Sequence, residues 1–225
     1  MASALSRFNA FLSGIDLDSL REKYRPIKLV ELDMPRNVQA LSCIYEQYWD
    51  KRHEWPDYED FYEIYLDSLH SVLEAWRKEC RFSEETFYLG LPARIYRTWA
   101  SLLTQIQGGY VAEDIYGKGS VEMNAELDYA QKDMVIKLPD GVDIFIQVKK
   151  ISWRKDAVRR EVSDRKEIEI FYSVPSTDKF KQDGEIRKPF KDWEAEWGDR
   201  LEWLDNGFVI FKHKMFERSA LGISG

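Results

Sequence analysis

Apolar residues recur at every third or fourth position through Phe61, Tyr65, Leu69, Leu73 and Trp76, a spacing that predicts one face of a helix. Pro56-Asp57 stands just before this stripe, and Asp57 with the acids after it suits a helix N-terminus. A second stripe, Ile95, Trp99, Leu102, Leu103 and Ile106, predicts a long helix. Leu91-Pro92 opens it, since proline is tolerated in a first turn, and Gly108-Gly109 closes it. A shorter helix is expected to start at Ser83-Glu84-Glu85-Thr86 and to break at Gly90. Residues 110–116 fit either a strand or a continuation of the helix, and Gly117-Lys-Gly119 reads as a turn. Upstream, residues 1–35 suggest a short amphipathic helix and an extended segment through Tyr24-Arg-Pro-Ile-Lys28. Another helix is possible within 35–48.

Past residue 130 the period changes from helical to two. Residues 133–138 and 142–149 are β-rich runs flanking Pro139-Asp140-Gly141, whose residue types favour a tight turn. A hairpin centred on Asp140 pairs residues whose numbers sum to about 280, so Asp133 should lie opposite Gln147. Alternation then puts Met134, Ile136, Leu138, Ile144, Ile146 and Val148 on a core face. Asp133, Gln147 and Lys149 share the other face, with Val135 and Phe145 nearby. Residues 154–166 have helix-forming composition, and 167–174 alternate like a third, half-buried strand. Residues 175–189 read as a polar, lysine-rich loop, 190–203 as a helix with Trp193, Trp197 and Leu201 at spacing four, and 208–211 as a last short strand. The order suggests an α/β fold: a mixed sheet flanked by helices over residues 91–225, with a helical N-terminal part, 1–90, packed on it.

Composition narrows the function classes. An apolar fraction of 44% with 14% aromatics marks an ordered globular chain. No apolar run approaches the ~18 residues of a membrane span, the N-terminus makes a poor signal peptide, and a cytoplasmic protein is expected. Cys43 and Cys80 stand alone, and His53 and His70 lack a third ligand, so neither a zinc site nor a disulfide framework is indicated. The net charge of −7 argues, taken globally, against nucleic-acid binding, yet it is unevenly spread. Residues 45–85 hold twelve acids against five bases; residues 147–191 hold thirteen Lys and Arg against eight Asp and Glu. The basic segment starts at the polar end of the hairpin, where a phosphate backbone would lie.

That end gathers an acid, an amide and an amine, the D…(D/E/Q)-x-K arrangement of metal-dependent nucleases. Phosphodiester hydrolysis needs charge neutralised on the scissile phosphate and a water held in line with the leaving oxygen. A carboxylate-held Mg²⁺ supplies the first and lowers the pKa of a bound water. Asp133 is the obvious metal ligand, and either the Gln147 side-chain oxygen or the Val148 carbonyl could be the second. Lys149 is the amine, placed to stabilise transition-state charge or orient water. Gln147 stands where a carboxylate is usual, and Asp128, with Glu126 nearby, would be a sensible compensating acid. Arg154, Lys155, Arg159 and Arg160 lead as DNA-contact candidates; Lys179, Lys181, Arg187 and Lys188 follow. Ordinary surface charges on a hairpin, and internal ion pairs such as Arg160 with Asp164, are the plainer alternatives.

Four stretches carry a resemblance: Lys23-Tyr-Arg-Pro-Ile-Lys28; Gly90-Leu-Pro-Ala-Arg-Ile-Tyr-Arg-Thr-Trp99 and its continuation to Gln107; Gly119-Ser-Val-Glu-Met-Asn-Ala-Glu-Leu-Asp128; and Gln147-Val-Lys-Lys150. Together they resemble the TaqI-like type II restriction endonucleases of the PD-(D/E)xK nuclease superfamily. The resemblance implies a homodimeric, Mg²⁺-dependent enzyme cutting double-stranded DNA at the palindrome TCGA, between T and C, and leaving 5′ overhangs. Asp128, Asp133 and Lys149 match the motif positions that carry catalysis in such enzymes, and Gln-Val-Lys is expected in this branch. Two other classes compete: a repair or junction nuclease of the same fold that cuts by DNA structure, and a non-catalytic DNA-binding protein with a decayed site.

Overall fold

The structure, a computed structural model, describes residues 2–151, 167–173, 181–182, 185–186 and 188–222. Helices α1 (Ala4–Gly14) and α2 (Leu17–Tyr24) open the chain, N-capped by Ser3 and Asp16, whose side chains accept backbone N–H bonds from Ser6 and Ser19. A short α3 (Leu41–Tyr45) runs into a π-helical turn over Glu46–Asp50. α4 (Tyr58–Glu79) starts where Asp57 accepts the Asp60 N–H at 3.0 Å, and it buries Phe61, Tyr65, Leu73 and Trp76 of the predicted stripe.

α5 differs from its expected outline. It is one helix, Glu84–Tyr116, capped by Ser83 and running through Gly90, Pro92, Gly108 and Gly109 without a break. At 1.5 Å per residue it spans roughly 50 Å. Its glycines are contact points, not terminators. A Cβ on Gly90 would lie 2.7 Å from Val30 Cγ2, one on Gly108 3.0 Å from Phe216 Cζ, and one on Gly109 2.2 Å from Met123 Sδ. Close packing outweighs the ~1 kcal/mol helix penalty of each glycine. The Pro92 carbonyl accepts the Tyr58 hydroxyl. The helix ends at Gly117, whose φ of +102° suits glycine. Residue 90, the expected border of the N-terminal part, therefore lies inside α5.

The main sheet has the order β1-β2-β3-β4, with β1 (Val121–Glu122), β2 (Met134–Lys137), β3 (Asp143–Ile151) and β4 (Glu167–Ser173). β1–β2 and β2–β3 pair antiparallel and β3–β4 parallel, giving the mixed sheet expected. Met134 faces Ile146 and Ile136 faces Ile144, so the register is the one centred on Asp140. Met134, Ile136, Leu138, Ile144, Ile146 and Val148 are all buried, because a one-residue slip would turn the whole set to solvent. Gly141, at φ +81°, closes the turn through its N–H to the Leu138 carbonyl.

The C-terminal region needs one correction. α7 covers Lys188–Trp197, but Leu201–Trp203 is not its continuation; it is strand β7, antiparallel to β8 (Val209–Phe211). Asn206-Gly207 turns the chain, with Gly207 at φ +89° and the Leu204 N–H on the Phe208 carbonyl at 2.9 Å. An Asn-Gly pair between apolar runs is a strong hairpin signal, and it outranks the helical spacing of the tryptophans. Within the expected polar loop, β5 (Lys181–Gln182) and β6 (Glu185–Ile186) form a small ladder. Gln107 ties α5 to β8: its amide accepts the Phe211 N–H at 2.8 Å and donates to the Phe211 carbonyl at 3.1 Å. Buried apolar residues from Leu5 to Leu221 form one continuous core. Among the described residues, no helix is long and apolar enough to cross a membrane.

Candidate active site

The site forms where α6 (Ala125–Tyr129) meets the open end of the β2–β3 hairpin. Asn124 caps α6 by accepting the Leu127 N–H at 2.9 Å, and Asp128 sits near the helix's C-terminus. Gln131, at φ +62°, then turns the chain back, and Asp133 enters the sheet with its N–H on the Ile146 carbonyl at 2.9 Å. A one-turn helix and a left-handed residue thus bring two acids, five apart in sequence, to one corner.

Asp133 is buried and Asp128 half-buried. Asp133 is 7% exposed, and one carboxylate oxygen accepts the Val148 N–H at 2.5 Å. Burial pushes its pKa up to about 7; the Val148 N–H works against that rise, the Asp128 charge adds to it and the Lys149 charge opposes it. Burial likewise raises the Asp128 carboxyl, while the Tyr45 hydroxyl, donating to Asp128 Oδ2 at 3.2 Å, pulls it back. Tyr45 is itself buried and sits within the field of both acids.

Backbone geometry adds a third oxygen. In a strand the N–H and C=O of one residue point to the same side. The Ile146 carbonyl and the Val148 N–H both turn toward Asp133, so the Val148 carbonyl faces that side too. Two carboxylates and a carbonyl are hard oxygen donors of the kind Mg²⁺ takes, and two desolvated acids acting on each other call for a cation between them. Asp128, Asp133 and Val148 therefore fit the divalent ion expected from the sequence. The described residues hold no group of three or more His, Cys, Asp or Glu side chains arranged for a metal ion.

Lys149 follows on β3 and is ion-paired with Glu169 of β4. The parallel register places Glu169 beside Gln147, so a carboxylate is present next to the amide that takes an acid's place. Gln147 lines a small cavity of about 100 Å³ with Lys132, Glu167 and Glu169. Lys132 pairs with Glu167 at 2.9 Å and lies over the Phe145 ring, 4.1 Å from its centroid.

Asp128, Asp133, Val148 and Lys149 are thus brought to one end of the hairpin, with Gln147 on the same strand. Lys181 falls in β5, opposite Ile186, and Lys188 begins α7. Arg154, Lys155, Arg159, Arg160, Lys179 and Arg187 lie outside the described residues, as does the Arg160–Asp164 pair. Tyr45 and Glu169 were not anticipated. Alternation in residues 167–173 signals the strand bearing Glu169, but its pairing partner and direction have no local signature. Tyr45 is eighty-three positions from the acid it serves, and nothing in its surroundings marks it.

Comparison with known proteins identifies the family. The family model of the TaqI restriction endonuclease matches residues 5–219. The type II restriction enzyme TaqI of Thermus aquaticus is 32% identical over 225 residues, covering 93% of this chain and 84% of the relative. The type II restriction enzyme TthHB8I of Thermus thermophilus is 33% identical over 227 residues, covering 92% and 83%. No solved structure matches. With a family model spanning nearly the whole chain and two relatives above 30% identity, this protein belongs to the TaqI restriction endonuclease family and is a type II restriction enzyme, a site-specific deoxyribonuclease.

Proposed function

We propose that this enzyme makes Mg²⁺-dependent double-strand cuts at the palindrome TCGA, between T and C, with Asp128, Asp133, Gln147 and Lys149 as its catalytic group. One observation carries the chemistry: a buried carboxyl, Asp133, and a half-buried one, Asp128, both with raised pKa values, lie with a lysine where α6 meets the end of the hairpin. Asp128, Asp133 and the Val148 carbonyl would hold the ion, which when bound neutralises phosphate charge and lowers the pKa of a coordinated water. The Tyr45 hydroxyl bond holds one oxygen of Asp128 in place. The Val148 N–H fixes one oxygen of Asp133 and leaves the other for the ion. Lys149 supplies an ammonium that meets the negative charge growing on the phosphate oxygens as the P–O bond to the leaving 3′ oxygen breaks. Gln147 sits beside Glu169, placed to align the Lys149 amine or to lend its amide oxygen to the ion.

A palindromic target fits a two-fold homodimer, each protomer cutting one strand. Arg154, Lys155, Arg159, Arg160, Lys179 and Lys181 are the proposed DNA contacts, with Arg or Lys reading G and the rest meeting phosphates. The test is digestion of a long DNA with Mg²⁺, followed by sequencing of the fragment ends. Every end should fall at TCGA with a 5′ overhang; random nicks or intact DNA would reject the proposal. Lys149→Ala should lose cleavage while keeping the wild-type melting temperature, and a fully active variant would remove Lys149 from the mechanism.

A further inference from the structure

Lys149 and Lys150 are neighbours on β3 and so project from opposite faces of the sheet. Lys149 belongs to the hairpin site. Lys150 lines a different cavity, of about 430 Å³, between α2, α5, the end of the main sheet and the β7–β8 hairpin. Its wall carries Arg21 and Arg25 at the end of α2, Arg97 and Ser101 on α5, and Tyr172 on β4, the register partner of Lys150. Among the described residues, no Asp or Glu lines it.

Four cations around one concavity repel each other, and such an arrangement persists only if something offsets it. Part of the offset comes from outside the wall. Arg21 pairs with Asp18 at 3.3 Å, and Arg97 pairs with Glu31. Asp18 is mostly and Glu31 about half solvent-exposed, so these pairs offset the repulsion only weakly, and Arg21 and Arg97 are each held further by one carbonyl, of Gly207 and Ile27, at 3.3 Å. Among the described residues, Arg25 and Lys150 have no ion pair at all. Three guanidinium forks, an ammonium and the hydroxyl residues Tyr96, Ser101, Thr104 and Tyr172 lining one space match a tetrahedral oxyanion, for which arginine geometry is suited. The volume lies within the range of small-ligand sites.

We propose that this cavity is a phosphate-binding pocket, separate from the scissile site, that takes either a backbone phosphate of the DNA flanking the cut or a free phosphate group. The first source rests on the DNA-cleaving reading; the second does not.

The variants are Arg25→Gln, Lys150→Gln and the double variant. Both side chains are exposed, and thermal melting of each variant checks that the fold is kept. Two titrations distinguish the sources. In the first, binding of a duplex containing TCGA and of one lacking it is followed by fluorescence anisotropy across a salt series. A backbone-phosphate pocket lowers the slope of log affinity against log salt by about one for each contact removed, equally for both duplexes. It leaves the cleavage rate of the saturated complex unchanged. In the second, inorganic phosphate is titrated into the DNA-free enzyme. A free-phosphate pocket gives a phosphate-dependent rise in melting temperature that the double variant loses, with the salt slope for DNA untouched. Either result supports the pocket. Unchanged salt slopes together with an unchanged phosphate response in the double variant would overturn it. If phosphate stabilises the wild type alone but no DNA is ever cut, the pocket stands and the nuclease mechanism falls.

Discussion

Asp133→Asn should make the metal-free protein more stable and its nuclease inactive. In an unfolded chain the Asp133 carboxyl titrates at the ordinary 3.8; in the folded protein it titrates near about 7. Below the lower value both states hold the proton, and burial of the neutral carboxyl costs little. As pH rises toward the upper value the folded state must give up a proton it holds more tightly than the unfolded state, and stability falls. Above it the folded protein bears the whole penalty. At ~1.4 kcal/mol for each tenfold difference in proton affinity, the gap corresponds to at most roughly 4 kcal/mol. Relaxation and water entry around a real carboxylate reduce this, and about 2 kcal/mol is the working figure. Asparagine keeps the shape and the oxygen that accepts the Val148 N–H, and it never ionises. For a chain of this size that amounts to a melting temperature higher by roughly 4–8 °C. The assay is thermal melting of both proteins in chelator, from about pH 4 to about pH 8. The curves should converge at the acid end and separate toward the alkaline end. Adding Mg²⁺ should then raise the wild type and leave the variant unmoved, by mass action on the folded state. A variant less stable than wild type throughout, or a gap that ignores pH, would refute the electrostatic account of this corner.

Two further predictions concern the neighbouring strand and the long helix. Glu169→Gln removes the carboxylate paired with Lys149 and should lower kcat by about 10- to 100-fold with KM unchanged, since a misplaced catalytic group loses rate and not affinity. Glu169→Asp should recover part of the loss, and a wild-type single-turnover rate in Glu169→Gln would exclude Glu169 from positioning the lysine. Gly90→Ala should destabilise by about 1–2 kcal/mol in a urea melt, because a Cβ 2.7 Å from Val30 Cγ2 and 2.8 Å from Leu29 Cβ outweighs the gain in helix propensity. A stabilised variant would show that the α5–Val30 contact yields.

What could be read from sequence and what could not divides along a physical line. The hairpin was legible to the residue, since Pro139-Asp140-Gly141 fixes the turn and alternation fixes the face, leaving one register that buries Met134, Ile136 and Ile146 together. The α4 stripe and its Asp57 cap were legible for the same reason, each being a local pattern. Gly90 and Gly108-Gly109 misled because a glycine that ends a helix and one that admits a neighbour are the same residue; only the identity of Val30, Phe216 and Met123 across the contact tells them apart. Leu201 at helical spacing from Trp197 misled because Asn206-Gly207, five residues on, offered its strand a partner. Within the site, Asp133 and Lys149 followed from the hairpin alone, Asp128 was suggested by its nearness in sequence and matched to a catalytic position through the family resemblance, and Glu169 and Tyr45 required the parallel pairing of β4 and the packing of α3.

The clamp between Gln107 and Phe211, with Phe211 and Phe216 filling the space over Gly108, bears on when during synthesis the enzyme can exist. Bare glycines and a buried amide leave the middle of α5 poorly held until a segment made about a hundred residues later arrives to cover it. The hairpin with its acids emerges from the ribosome long before that. A growing chain therefore carries the hairpin before the helix it packs on is fully covered. Cutting activity is expected only of chains made past residue 216.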